Sequence, residues 1–367
     1  MVRRPIGQRT GQGAAHRTGK VRLARLTDLS ALGDLSRLSH GIDERADTPV
    51  RHLGLPVSSS QISVFSFFRL PLGAFLPHDL LYVYEDDHKL AGLLRVERDT
   101  HRDEWTIVEL DAIDHGDAGD IRFRLLQHLM RDGGRRGAHR FHVACADQGG
   151  NVELFMQVGF ARYGEERILL RPQELPLPPP TPAARAESQG IRAAQPLDAL
   201  PLSRLYASAT PGPVARLEAY RLPDWERQGT QWRIPRSSLT PVLRFADVEA
   251  YVQESAPDPG APLSAFLQVG VAKEDHPHYV RVVSLPDHDP SALIEFGLGV
   301  IAEQRGRGGP DAGSRGPNGV LSPVRTYESP LDRRFEQFDF APVATVSLLL
   351  KETVVRVAEP ALVPAIR

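Results

Sequence analysis

Acidic residues recur at every third position at Asp111, Asp114, Asp117 and Asp120, just ahead of an apolar stripe made by Ile121, Leu125, Leu126 and Leu129. Gly116 and Gly119 interleave with them, and Arg122 and Arg124 follow. A glycine turn at a helix N-terminus lets backbone N–H groups approach a phosphate, and the helix dipole favours an anion there by about 0.3–1 kcal/mol. The carboxylates oppose this. One lying about 4 Å from a phosphate charge costs roughly 1 kcal/mol in water and about 4 kcal/mol at an effective dielectric of 20. Two readings follow: Asp120 is an N-cap with the other acids in solvent, or Gly116 and Gly119 form an anion loop in which Arg122 and Arg124 offset the acids. The run lacks the glycine and terminal glutamate of a calcium loop, so no metal is expected.

Glu109 is the candidate general base. It alternates with apolar neighbours on a strand, a pattern that a solvated strand face gives equally well. His139 and His142 fall on a later strand, where a histidine is expected to be satisfied or half exposed. Cys145 is the only cysteine; it excludes an internal disulfide, suits a reducing cytoplasm and reads as a packing residue. Asp275-His276-Pro277-His278 and Asp287-His288-Asp289 group acids with histidines, but the neighbouring prolines favour turns. Gln304-Arg305-Gly306-Arg307-Gly308-Gly309 has the composition of a phosphate loop. It follows an apolar helical segment where such a loop should precede one, so it reads as a surface loop.

The elements that must position these groups follow from periodicity. In the first half, apolar and β-branched runs predict strands over 79–84 and 89–97 joined by a turn at 85–88, then a strand over 104–112. The stripe over 121–131 predicts a helix stopped by Gly133-Gly134, followed by a strand at 139–144, a helix at 152–157 and a strand at 167–170. Strand, helix, strand, helix, strand in that order requires crossover connections and at least one parallel pair. The fold class is α+β, with a mixed central sheet flanked by helices.

The chain of 367 residues is longer than one core usually serves. Six prolines in the segment PQELPLPPPTPAARAESQG, 172–190, predict an extended spacer between two domains. The two sides repeat. VRLARLTDLSAL at 21–32 matches IRAAQPLDALPL at 191–202, each with an aspartate suited to capping a helix, and FMQVGF at 155–160 matches FEQFDF at 335–340. The organisation is a basic tail at 1–20, a domain at 21–172, a linker at 173–190, a second copy at 191–358 and a tail at 359–367. Lys plus Arg total 44 against 46 Asp plus Glu, so no overall field draws the chain to nucleic acid or to an anionic membrane. No apolar run approaches the roughly 20 residues of a membrane span, and a cytoplasmic protein is expected.

The element order, with the Val158-Gly159-Phe160 ending of the last helix, resembles the GNAT N-acetyltransferase superfamily, over most of 21–172 and more weakly over 191–358. The resemblance implies acetyl-CoA as acyl donor and a small-molecule or peptide amine as acceptor. It implies that the strand backbone around Leu110 and Ala112 holds the pantetheine arm, and that Gly116, Gly119 and Arg122 sit at the pyrophosphate. Gln148 stands where the family often has Asn. The family's proton-donating Tyr is replaced by Phe155 in one copy and Phe335 in the other, and losing a positioned acid costs about 10²–10⁴ in rate. The resemblance is thus compatible with an N-acyltransferase or with a catalytically inactive descendant that binds a ligand or a protein, the two copies packing on each other.

Overall fold

The computed structural model describes residues 19–28, 30–32, 79–99, 101–112, 118–147, 150–229, 232–241, 243, 245–256, 261–272, 276–307 and 319–353. The first half runs β1 Lys20–Leu23, a 3-10 turn at Leu26–Asp28, β2 Asp79–Asp86, β3 Lys89–Asp99, β4 Glu104–Ala112, α1 Ala118–Arg135, β5 Arg140–Ala146, α2 Asn151–Gln157 and β6 Ala161–Arg171. A short helix, α3 Ala183–Ser188, ends the proline-rich segment. The second half runs β7 Ile191–Ala193, a 3-10 turn at Pro196–Asp198, α4 Ala199–Ala209, α5 Gly212–Glu218, α6 Leu222–Glu226, β8 Phe245–Glu254, β9 Leu263–Ala272 and β10 His278–Ser284. It closes with α7 Ser291–Arg307, β11 Val320–Arg325, a turn at Thr326–Glu328, α8 Ser329–Glu336 and β12 Ala341–Glu352.

The repeat is visible in side-chain chemistry as well as in element order. Arg22 donates to Asp28 and Glu85, and Asp28 also accepts the Arg25 backbone N–H at 2.6 Å. Arg192 donates in the same way to Asp198 and Glu254, and Asp198 accepts the Gln195 N–H at 2.7 Å. Each aspartate thus ties its short turn back to the preceding strand, and Asp198 makes no side-chain cap bond to α4, which corrects the capping role expected for it.

The twelve strands of the described residues form one sheet in the order β1-β2-β3-β4-β5-β12-β6-β11-β10-β9-β8-β7. The last strand of each half has moved into the other half: β12 pairs antiparallel with β5, β6 pairs antiparallel with β11, and β6 and β12 pair with each other at the centre. Two mixed sheets were expected; they are continuous. The exchange gives what would be an open edge of each half a full partner, and the outermost strands, β1 and β7, have only four and three residues. The parallel pairs are β4 with β5 and β10 with β11.

Helix α1 lays Ile121, Leu125, Leu126 and Leu129 on the first core, each fully buried and worth on the order of 1.5–3 kcal/mol. It does not stop at Gly133-Gly134 as expected. A Cβ on Gly133 would lie 2.5 Å from the Phe141 ring, so this glycine is there for close packing of the helix on β5. The helix ends at Gly137, whose φ of 87° and the Ala138 N–H to Gly133 carbonyl bond make a Schellman-type stop.

Candidate functional site

Strands β4 and β5 are in register only from Glu104–Arg140 to Ile107–Val143; beyond that they separate. Val108 is an extra residue in β4, because Arg95 faces Glu109 while Val96 faces Ile107. Such a bulge bends its strand and re-aims the residues that follow. The separation opens, on the sheet face opposite α1, into a cavity of about 360 Å³. Its floor is a cross-strand row of Glu97, Thr106 and His142 on β3, β4 and β5, with Val108 beside the splay. Its roof comes from the second half: Tyr220 and the segment from Arg233 to Pro241.

Several charges of the cavity wall are already matched. Arg236 is ion-paired with Glu104, which also binds Arg102 at 3.0 Å. Arg102 bonds Asp224 at 2.8 Å and stacks 4.2 Å above the Tyr220 ring. Asp99 accepts the backbone N–H groups of His101 and Arg102. Three groups differ. His142 is 4% exposed, neither ring nitrogen makes a hydrogen bond, and Nε2 lies 3.6 Å from Glu104. Burial, with Arg140 and Arg102 nearby, pushes its pKa down to about 3, so the ring is neutral. A satisfied or half-exposed histidine was expected there; it is buried and unsatisfied because Thr106 and Leu350, its neighbours across the sheet, leave the ring facing the cavity. Glu97 has no hydrogen bond or ion pair among the described residues, and burial pushes its pKa up to about 7, opposed by Arg95 and Arg233 and reinforced by Asp79. Arg233 is exposed at the rim, with no ion pair among the described residues.

The residues expected from sequence fall elsewhere. Glu109 is 4% exposed and bonds Arg95 across the strands at 3.3 Å, outside the cavity; the bulge at Val108 and this cation hold it there. Leu110 is buried in the first core, and Ala112 is half-buried at the end of β4. Asp120 lies in the first turn of α1 and binds Arg124 at 2.7 Å, so it is not the N-cap. Gly119 has open space where a Cβ would be. Arg122 is buried and donates to Asn151 Oδ1 at 3.1 Å, joining α1 to α2. Gly116, Gln148, Asp114, Asp117 and Asp275 lie outside the described residues. Phe155 and Phe335 are fully buried and pack edge-on against Phe160 and Phe340. Cys145 is buried, which pushes its thiol up to about 12. His278 accepts the Ala272 N–H, His288 bonds Gln253, and Asp289 accepts from Ser291 at the start of α7. Gln304 to Arg307 form the last turn of α7, which corrects the loop expected over those four residues, while Gly308 and Gly309 lie outside the described residues. Glu97 and the roof were missed; an acid within the strand run 89–97 was the one available signal.

The equivalent splay in the second half is filled. Strands β10 and β11 are in register only at His278–Val320 and Tyr279–Leu321, and no bulge interrupts the pairing of β10 with β9. Into the gap project Arg281 and Arg325, each 1% exposed. Arg281 makes two 2.8 Å bonds to Glu328, which also accepts the Arg325 backbone N–H. The Arg325 guanidinium pairs with Glu166 at 2.6 Å and Glu218 at 3.0 Å and donates to the carbonyls of Pro235 and Arg236. The same network therefore anchors the roof of the first cavity, helped by Ser238 N–H to Glu166 at 2.9 Å.

Among the described residues, no group of three or more His, Cys, Asp or Glu is placed to hold a metal, and no helix is long and apolar enough to cross a membrane. No family model and no curated relative matches the sequence. Solved structures do match in fold. A tandem GNAT protein from the clavulanic acid biosynthesis pathway, solved without AcCoA, shares 14% identity over 91% of this chain and 98% of its own, with a TM-score of 0.52. A GCN5-related N-acetyltransferase from Sphaerobacter thermophilus shares 15% identity over 91% of this chain and 95% of its own, with a TM-score of 0.55. At these identities the likeness is one of fold, and it spans both halves: the chain carries the GNAT N-acetyltransferase fold twice, in tandem.

Proposed function

We propose that the chain is an acyl-CoA-dependent N-acyltransferase that acts through the cleft of its first half, moving an acetyl group from acetyl-CoA to an amine. The observation that carries this is the contrast between the two splays: one opens on a cavity with a bulge beside it, the other is closed by buried ion pairs. The residues present suit the donor. The edge of β4 from Val108 to Ala112 that faces β5 has no strand partner among the described residues, which leaves backbone groups for the amides of a pantetheine arm. Gly119, in the first turn of α1, leaves its backbone open to a diphosphate at a helix N-terminus. Geometry and fixed dipoles supply most of the rate in direct attack on a thioester, so few special side chains are needed. Phe155 cannot protonate the departing thiolate, which leaves that step to solvent.

The buried phenylalanines at 155 and 335 favour a second reading, a non-catalytic module that keeps the cleft to bind a ligand. The experiment that separates them is incubation of the purified protein with acetyl-CoA and a mixture of primary amines, followed by mass spectrometry for N-acetyl products and a thiol assay for released CoA. An N-acetyl product formed with stoichiometric CoA supports the transferase. Binding of acetyl-CoA without product supports the module.

A further inference from the structure

Among the described residues, the floor of the first cavity presents one carboxyl group with no hydrogen bond or ion pair, Glu97, and the rim presents one guanidinium with no ion pair, Arg233. Arg236 and Asp99, charged side chains of the same wall, are engaged, the first with Glu104 and the second with two backbone N–H groups. A buried or half-buried charge is costly without a counter-charge. Two opposite charges held apart across a cavity, close enough for Arg233 to affect Glu97 but not in contact, are each matched by a ligand that bears both signs. Adjacent strands lie about 4.8 Å apart, so Glu97 on β3 and His142 on β5 are separated by roughly 10 Å with Thr106 between them, which is room for an amino group and its carbon.

We propose, on the transferase reading above, that the acceptor is a zwitterion, an amine carrying an acid group such as a free amino acid, with its ammonium received by Glu97 and its acid group by Arg233 from the second half. Glu97 takes the proton from the ammonium. The freed nitrogen lone pair forms the new C–N bond at the thioester carbonyl, the C–S bond breaks with its electron pair on sulfur, the nitrogen's second proton passes to solvent, and solvent protonates the thiolate. His142 is a neutral, unsatisfied ring on the same floor and orients the amine by a hydrogen bond. The groups facing Glu97 are Arg95 on its own strand, Asp79 on β2, Thr106 on β4 and Arg233 on the roof, with Arg98, Asp99 and His101 further along the wall. This explains the tandem arrangement: the first half supplies the base and the second half supplies the grip on the acid.

The test uses the intact protein and reads binding first, with acetyl transfer as a separate second readout. The twenty amino acids, their amides and their N-acetyl derivatives are titrated by calorimetry at pH 7.5 into wild type, E97Q and R233Q, with thermal melts to show that each variant is folded. At least one amino acid is expected to bind, with its amide and its N-acetyl derivative about ten-fold weaker or worse, the usual value of a charge-assisted hydrogen bond. R233Q is expected to lose the discrimination against the amide, and E97Q that against the N-acetyl form. If E97Q does not fold, R233Q, altered at an exposed position, carries the test alone. Amides binding as well as the acids, or unchanged discrimination in R233Q, overturns the proposal. No amino acid binding while propylamine is acetylated overturns the zwitterion and leaves the transferase standing. Selective binding of an amino acid with no transfer from acetyl-CoA upholds the zwitterion site and refutes the transferase.

Discussion

Arg325→Met removes the hub of the network that closes the second cleft. Methionine matches the volume of the arginine stem, so little cavity is created, and the cost is electrostatic. Glu166 and Glu218 are both 0% exposed and would be left facing each other without the cation. Breaking a buried pair by removing one partner costs about 3–5 kcal/mol. For domains of 150–250 residues each kcal/mol moves Tm by about 2–4 °C, so the expected fall is roughly 6–20 °C, toward the lower figure for a chain of this length. The pH dependence has a definite sign. Burial holds the Glu218 carboxyl above its ordinary range, and Arg325 opposes that rise. A raised carboxyl pKa contributes stability below the unfolded value that is lost as pH rises through the folded one. Without Arg325 that loss grows, so the variant's deficit is largest at neutral and alkaline pH and shrinks as the solution is acidified. Urea melts of both proteins from pH 4.5 to 8.5 measure it. A deficit under about 1 kcal/mol, or one independent of pH, would refute the idea that these ion pairs fill the second cleft as a structural plug.

Three further outcomes follow from the same structure. Phe155→Tyr restores the residue type that often protonates the thiolate in this fold, but places a hydroxyl in a sealed aromatic contact with Phe160; a loss of about 1–3 kcal/mol in chemical denaturation and no gain in kcat are expected. Asp28→Asn and Asp198→Asn should cost similar amounts, about 1.5–3 kcal/mol each, because both break the same charge-assisted contacts to an arginine. Arg22 holds the Asp28 carboxyl below its ordinary value, and Arg192 does so for Asp198 against the effect of burial, so this stability is present above the ordinary carboxylate pKa and is lost as pH falls through the folded value; the variants should lack that acid transition. Glu97, raised to about 7 by burial, gives opposite signs in two assays over one window: from about pH 4.5 to above 7 its contribution to folding stability falls, while kcat/KM, which needs the carboxylate, rises through about 7. Replacing it with Gln should remove both trends, and a kcat/KM profile that keeps its acid limb in E97Q would assign the base elsewhere.

Apolar and β-branched runs in the sequence located β4 at its observed bounds and found the hairpin of β2 and β3, because a sheet covered on both faces buries side chains of both orientations. The matched openings around Asp28 and Asp198 revealed the repeat because each aspartate has a local job, tying a turn to an arginine six residues before it. The exchange of β6 and β12 was not legible: both are apolar strands that follow equivalent helices, and either would complete either sheet. The base was sought at Glu109 because it sits mid-strand, but the bulge at Val108 shifts the alternation and sets it against Arg95, while Glu97 on the neighbouring strand gains the cavity. The roof from Arg233 to Pro241 is more than 90 residues from every residue of the floor that it covers, and no local pattern marks such a contact. Gly133 looked like a helix stop because glycine pairs usually are; its actual constraint, the Phe141 ring, comes from the next strand.

The central claim is that a two-fold repeat retains one working cleft, and the most direct measurement is the stoichiometry of acetyl-CoA binding by calorimetry on the intact chain. One equivalent per chain is expected. Two equivalents would show that the Arg281 and Arg325 network leaves the second cleft open, and no binding at either low or moderate salt would contradict the acyl-CoA reading itself.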